Sequence, residues 1–192
     1  MSRVKAYKEE VVLENAMQVF WSHGYEATSV RMLEKEMSIN QFSIYSSFTN
    51  KKTLFKRSIR QYREYVKQHV FSGLLQEGAG LNALETFFED FLESLEVTGG
   101  SKGCLVINAA AEWGDKDAEI ALEINAYYHF IRVMLKNLLT NAVAKHEIPL
   151  ETDIEKQACF FLGIMQGLSV ASKTMNKDQL RDYISVAITQ IK

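Results

Sequence analysis

Proline is nearly missing from this sequence: Pro149 is the single one in 192 residues. A chain with so few helix breakers, and with little β-branched alternation, reads as all-α. Cysteine is equally scarce. Cys104 and Cys159 stand alone, without the C-x-x-C spacing of a zinc or redox site, and two cysteines are too few to staple a chain of this size. They read as free thiols in or near the core. No run of about eighteen uncharged apolar residues occurs, and the opening MSRVKAYKEEVV is charged and periodic where a signal peptide would be apolar. A cytoplasmic protein with no membrane partner is expected. H-E-x-x-H, G-x-S-x-G and a glycine-rich phosphate loop are all lacking, and His23, His69, His129 and His146 are scattered. No catalytic residue, metal site or cofactor is assigned. An enzyme built on Tyr128 and His129 stays a lesser alternative.

Net charge is also nearly lacking, at -2, which excludes a protein that coats nucleic acid indiscriminately. Its distribution is uneven. Residues 1–67 hold 12 Lys and Arg against 7 Asp and Glu, whereas residues 68–192 hold 10 against 17. The two parts are built for different partners. Between Lys51 and Lys67 the basic residues Lys51, Lys52, Lys56, Arg57, Arg60, Arg63 and Lys67 meet only Glu64, where a solvated helix face would mix both signs.

What is present is helical periodicity. Val12, Ala16, Val19 and Phe20 make one stripe, closed by Gly24. Thr28 reads as the N-cap of a short helix from about Ser29 to Met37, with Val30, Leu33 and Met37 inward. After Ser38-Ile39-Asn40, capped by Asn40, comes a helix over Gln41–Phe48 with Ile44, Tyr45 and Phe48 inward. Asn50 caps a long helix from Lys51 to about Leu75, striped by Leu54, Phe55, Ile59, Tyr62 and Val66 and broken by Gly73, Gly78 and Gly80. Further helices are expected over 81–96, 104–113, 117–146, 152–173 and 177–191, with a VTGGSKG loop between the first two.

Two short helices joined by a three-residue turn match a helix-turn-helix over about 29–48, whose second helix enters the major groove of DNA. That helix, in SINQFSIYSSFTNKK, carries no Lys or Arg of its own. Gln41 at its start can bond adenine bidentately, and Phe42 can meet a thymine methyl. Ser43, Ser46, Ser47 and the Tyr45 hydroxyl can donate to phosphate, as can Thr28 and the N–H groups after it. Lys51, Lys52 and Lys56 would supply the Coulomb attraction. Taken alone, Gln41 reads equally well as a solvated surface residue.

Glu14–Ile59 resembles the DNA-binding domain of TetR-family transcriptional regulators. The family's spaced pattern meets this chain at Ala16, Phe20, Gly24, Thr28, Ser29, Val30, Leu33, Ile39, Ile44, Tyr45, Phe48, Lys51 and Leu54. Ser38 replaces the usual turn glycine, a strain of about 1–2 kcal/mol if that residue is left-handed. Glu36, Met37, Asn40 and Phe42 also depart from the pattern, at the reading end, and put the operator sequence in question. The resemblance implies phosphate contacts at Thr28, Tyr45 and Lys51, and base contacts from Gln41, Phe42 and Ser46.

It also implies a division into a DNA-binding domain at 1–50, a connecting helix at 51–75 and a ligand-binding and dimerisation domain at 76–192. Pairing through the last two helices would make a homodimer, and so require a pseudo-palindromic double-stranded operator. Gly163, Gly167 and Ala171 lie four apart, with Phe160, Ile164 and Leu168 beside them, a row that permits close helix approach. Internal packing is the alternative for that row. Phe87, Phe91, Trp113, Tyr127, Phe161 and Met165, with Phe88, Tyr128 and Phe130, exceed the aromatic surface a plain bundle needs. Some of these, together with Cys104, are expected to line a pocket for an unidentified, apolar or aromatic small molecule; ordinary core is the competing reading. Glu112, Asp115 and Asp117 flank Trp113 and read as helix caps or as partners for a cationic ligand. KGCLVINAAAEWGDKD resembles a stretch of one TetR subgroup, and Cys104 there lies near a helix N-terminus beside Lys102, an environment that favours a thiolate. The resemblance favours a repressor whose ligand moves the fourth helix. A helical adaptor that ignores DNA is the competing class, for which Phe42 is the best argument.

Overall fold

The computed structural model describes residues 7–98, 102–114 and 116–192, and the side chains of these except 96–98. Among them are α1 (Glu9–His23), α2 (Val30–Met37), α3 (Gln41–Phe48), α4 (Lys51–His69), α5 (Leu81–Thr98), α6 (Leu105–Trp113), α7 (Ala118–Ala144), α8 (Ile154–Ala171) and α9 (Lys177–Thr189), and no strand. They form two compact units. The first runs up to Tyr65 and takes in Cys104–Asn125; the second comprises Val66–Gly103 and Ala126–Lys192. Both α4 and α7 contribute residues to each unit. No described helix is long and apolar enough to cross a membrane.

In the first unit, Ala16, Met17 and Phe20 of α1, Leu33 and Met37 of α2, Ile44 and Phe48 of α3 and Leu54, Phe55 and Ile59 of α4 are all but inaccessible. The rings pack edge to face: Phe20 on Phe55 at 4.9 Å, Tyr25 on Trp113 at 4.8 Å and Trp21 on Tyr62 at 5.0 Å between centroids. Val30 and Tyr45, expected inward, are only half-buried. Gly24 ends α1 with φ 74° and lies against the Glu112 side chain, so it meets two demands that exclude a Cβ. The Glu112 carboxylate accepts the Tyr25 N–H at 2.8 Å. That places α6, expected in the ligand domain, with the helix-turn-helix instead.

Sequence-local signals act where expected, with small shifts. Ser29, one residue after Thr28, is the N-cap of α2 and accepts the Met32 N–H at 3.2 Å. Asn40 and Asn50 accept the Ser43 and Thr53 N–H groups at 2.9 and 2.8 Å. Asp117 caps α7 through the Glu119 and Ile120 N–H groups; Asp115 lies outside the described residues, as do Gly99, Gly100 and Ser101 of the VTGGSKG loop. α4 stops at His69, short of Leu75. The Phe71 N–H shares the Val66 carbonyl with that of Val70, a widened turn after which Phe71 and Leu74 both bury.

In the second unit, α5, the later part of α7, α8 and α9 enclose Leu84, Phe88, Leu135, Leu139, Phe161, Leu180 and Ala187. Glu147 accepts the Leu81 N–H at 2.6 Å, Asp153 caps α8, and an Asn176–Gln179 capping box opens α9. Cys159 is on the surface, not in the core, because it falls on the outer side of α8 from Ala158 and Phe161.

Ser38 adopts the left-handed conformation, φ 54° and ψ 32°, without being glycine. Ser38→Gly therefore removes about 1–2 kcal/mol of native strain, against about 0.4–1 kcal/mol of added unfolded-chain entropy. The urea unfolding midpoint should rise modestly; a fall would mean that Ser38 makes a compensating contact.

Candidate nucleic-acid interface

α2, the left-handed turn at Ser38 and α3 present one open face. Burying Ile44 and Phe48 turns Gln41, Phe42, Tyr45 and Ser46 outward, where together they line an open apolar surface. Phe42 is 82% exposed, the highest value among the exposed large hydrophobic residues described. The turn is held by the Glu34 carboxylate, which accepts the Gln41 N–H at 2.6 Å and so fixes where α3 begins. Glu34 was not legible as part of the site, because an acidic residue on a short helix has many uses.

The expected phosphate ligands divide. Thr28 is 1% exposed and its hydroxyl donates to the Gly24 carbonyl at 2.5 Å, so that hydroxyl is already committed within the unit. The start of α2 nonetheless offers the N–H groups of Val30 and Arg31, which have no intrahelical acceptor. Ser43 and Ser47 lie on the flank of α3. Tyr7 packs there, its hydroxyl within 2.6 Å of Ser47 Oγ and donating to the Ser43 carbonyl at 3.2 Å. Lys51 Nζ sits 4.3 Å from the centroid of the Tyr25 ring, and burial lowers its pKa.

The basic run of α4 is not a free positive surface. Lys52 pairs with Asp117 at 2.9 Å and with Glu119 at 3.2 Å, and Lys56 with Glu119 at 3.2 Å. Arg57 pairs with Glu9 at 2.6 Å, Arg60 with the buried Glu123, and Arg63 with Glu64 at 3.4 Å. The charge assigned to Lys52 and Lys56 over the DNA backbone instead holds α4 to the start of α7. Side-chain hydrogen bonds from the two lysines hold Asp117 and Glu119 below the ordinary carboxylate range.

The expected pocket residues do not share one cavity. Phe87 and Phe91 line an open groove of about 540 Å³ in the second unit, with His69, Leu74, Thr86 and Asp90. Tyr127 and Phe161 are core residues of that unit and Met165 is half-buried. Cys104 and Trp113 belong to the first unit: Cys104 is the N-cap of α6, next to Tyr62, whose phenol is pushed up by burial and by that thiol. Among the described residues no cluster of His, Cys, Asp or Glu could hold a metal ion. On α8, Phe160 and Gly163 are exposed, Gly167 lies under the Tyr183 hydroxyl and Ala171 is half-buried. Ile164 is turned into the core of its own unit, so the open face runs instead through Phe160, Gly163, Gly167 and Val170.

A capped helix pair that buries one side and presents hydrogen-bonding and aromatic heads on the other defines a helix-turn-helix DNA-binding protein. Residues 12–57 match the model of bacterial regulatory proteins of the tetR family, and residues 80–188 that of the tetracyclin repressor-like C-terminal domain. The chain belongs to the TetR family of DNA-binding transcriptional regulators. It is 27% identical to the HTH-type transcriptional repressor ComR of Escherichia coli K12 over 172 residues, 89% of this chain and 82% of ComR. It is also 27% identical to the uncharacterized HTH-type regulator YezE of Bacillus subtilis 168, over 98% of both chains. Its fold is similar to a cysteine variant of the TetR-family regulator CifR complexed with 26-base-pair operator DNA: TM-score 0.83, 22% identity, 100% of both chains. It is likewise similar to reduced Escherichia coli NemR: TM-score 0.84, 17% identity, 95% of this chain and 96% of NemR.

Gln41→Ala should relax preference at one base pair by about 1–3 kcal/mol, whereas Lys51→Ala should weaken all duplexes alike and reduce the salt slope by about 0.9. Equal loss on every sequence from Gln41→Ala would remove it from the reading face. The paired carboxylates predict acid sensitivity. Their folded pKa values are depressed, so their contribution is present above the unfolded pKa and lost as pH falls through the folded one. Between about pH 5 and pH 3 the urea midpoint should fall less steeply in Asp117→Asn/Glu119→Gln than in the parent.

Proposed function

We propose that the protein is a homodimeric, ligand-responsive repressor that binds a pseudo-palindromic operator in the cytoplasm. The observation that carries this reading is the open α3 face, on which Gln41, Phe42, Tyr45 and Ser46 stand together with Phe42 almost fully exposed, groups that can meet base edges and thymine methyls. The naming of ComR as a repressor supports the sign of regulation. The row Phe160, Gly163, Gly167 and Val170, beside exposed Tyr183 and Val186 of α9, supports pairing of two copies through α8 and α9. Two-fold symmetry then places the recognition helices about 34–36 Å apart, or a multiple of that.

An apolar or aromatic effector is assigned to the second unit. The groove at Phe87 and Phe91 has the volume of small-molecule sites, about 300–1,000 Å³. α4 supplies Lys51–Tyr65 to the first unit and its remaining turn to the second, and so is one of the covalent routes, with α7 and the 103–104 link, from effector to reading head. An effector lowers operator affinity only if it binds the non-fitting state better. No catalytic step enters this reading.

Selection of duplexes from a random pool at two salt concentrations tests it, with sedimentation of the complex to count copies. A pseudo-palindrome bound by two chains, more weakly at the higher salt, is expected. Absence of any enriched sequence together with salt-independent binding would overturn it, and would leave Phe42 as a docking residue for another protein.

A further inference from the structure

The start of α1 is tied to the recognition helix. Tyr7 stands just before Glu9, where α1 begins; its hydroxyl donates to the Ser43 carbonyl at 3.2 Å and lies 2.6 Å from Ser47 Oγ, 36 and 40 positions along the chain. One arrangement of protons satisfies both contacts: Tyr7 gives its hydrogen to the Ser43 carbonyl and accepts that of Ser47. The Ser47 hydrogen is then not offered to phosphate. Ser43 and Ser47 are one turn apart on α3, a stripe beside that of the outward Phe42 and Ser46. The segment that carries Tyr7 is itself held. Glu9 pairs with Arg57 of α4 at 2.6 Å, and the Arg57 guanidinium lies 4.8 Å from the centroid of the Phe48 ring at the end of α3.

We infer, on the operator-binding reading above, that Tyr7 is a positioning residue for base recognition. Without touching DNA, it sets the rotation of α3 about its own axis, and so which base edges Gln41 and Phe42 meet. α3 has eight residues and buries Ile44 and Phe48 alone. Apolar burial is non-directional, so it sets the depth of so short a helix better than its roll. Glu34 holds a single point, the Gln41 N–H at 2.6 Å, and one point leaves rotation open. The Tyr7 hydroxyl, which holds two groups on the flank, closes it. Rotation matters because an α-helix with its side chains is about 10–12 Å across, so that a roll of about 10° carries an outer atom about 1 Å. N–H···O bonds to a base edge hold only between about 2.7 and 3.2 Å.

The test is the affinity of the full chain for the duplex selected as above and for a scrambled one, over a series of salt concentrations. Tyr7→Phe keeps the ring and every charge but loses both hydrogen bonds. The ratio of selected to scrambled affinity should fall about fivefold or more. The salt slope should stay unchanged, because no cation is lost. A variant that merely unfolds more readily loses active protein for both duplexes alike and leaves that ratio unaltered. Ser47→Ala should lower the ratio in the parent and add little in the Tyr7→Phe background, since the two side chains act through one contact. An unaltered ratio in Tyr7→Phe overturns the inference. So does a Ser47→Ala loss that is equal on both duplexes and undiminished in the Tyr7→Phe background, the behaviour of a direct phosphate ligand. If the parent chain selects no duplex, the regulator reading fails and the positioning role falls with it.

Discussion

The geometry of the DNA-reading end depends on a strip of opposite charges between α4 and residues 112–123. Arg60 meets Glu123, Lys52 and Lys56 meet Asp117 and Glu119, and Glu112 takes the Tyr25 N–H from 87 residues away. Glu123 is buried, and a carboxylate taken out of water without a cation beside it would cost several kcal/mol. The pairing therefore sets how α4 lies on the start of α7. Through Glu112, the same segment closes against Gly24 and Tyr25, just before α2. The helix-turn-helix is thus supported from below by residues that a reading in chain order would assign to another domain.

Neutralising α4 has a consequence for recognition. The outward residues of α3, Gln41, Phe42, Tyr45 and Ser46, are all uncharged, and the nearby Lys52 and Lys56 are paired with carboxylates. Such a face offers base edges short hydrogen-bonding and apolar contacts rather than charge. Ser38 adds local strain at the turn that orients α3, held by Asn40 on one side and Glu34 on the other. Positive φ at a non-glycine residue recurs at Thr49, where α3 ends. Non-glycine residues of positive φ thus stand on both sides of α3, in the turn before it and at its C-cap, while Ile44 and Phe48 bury between them.

In the second unit, α8 and α9 show the complementary arrangement. Leu180, Ile184, Ala187 and Ile188 fill the inner side of α9, while Tyr183 and Val186 stay outside with Phe160 and Val170 of α8. The small residue Gly167 lets the Tyr183 hydroxyl approach the α8 backbone, where a Cβ would meet that oxygen at 2.7 Å. The surface left open is apolar, the kind of patch that marks an interaction site.

The sequence by itself determined whatever rests on interactions within a few residues. Stripes such as Val12, Ala16, Val19 and Phe20, the caps Asn40 and Asn50 and the outward Gln41–Phe42 face all follow from helical period and from end groups that need partners. The spaced pattern from Ala16 to Leu54 made the family legible for the same reason. Tertiary structure decided the rest. Whether Lys52 and Lys56 face DNA or Asp117 and Glu119, whether Thr28 donates outward or to Gly24, and whether Ile164 points to a partner copy or to its own core depend on which helices pack. Tyr7 on α3, and Glu112 against Gly24, join residues tens of positions apart with no local signal in either. Charge and hydrogen-bonding capacity are properties of a residue, but their partners are chosen by packing.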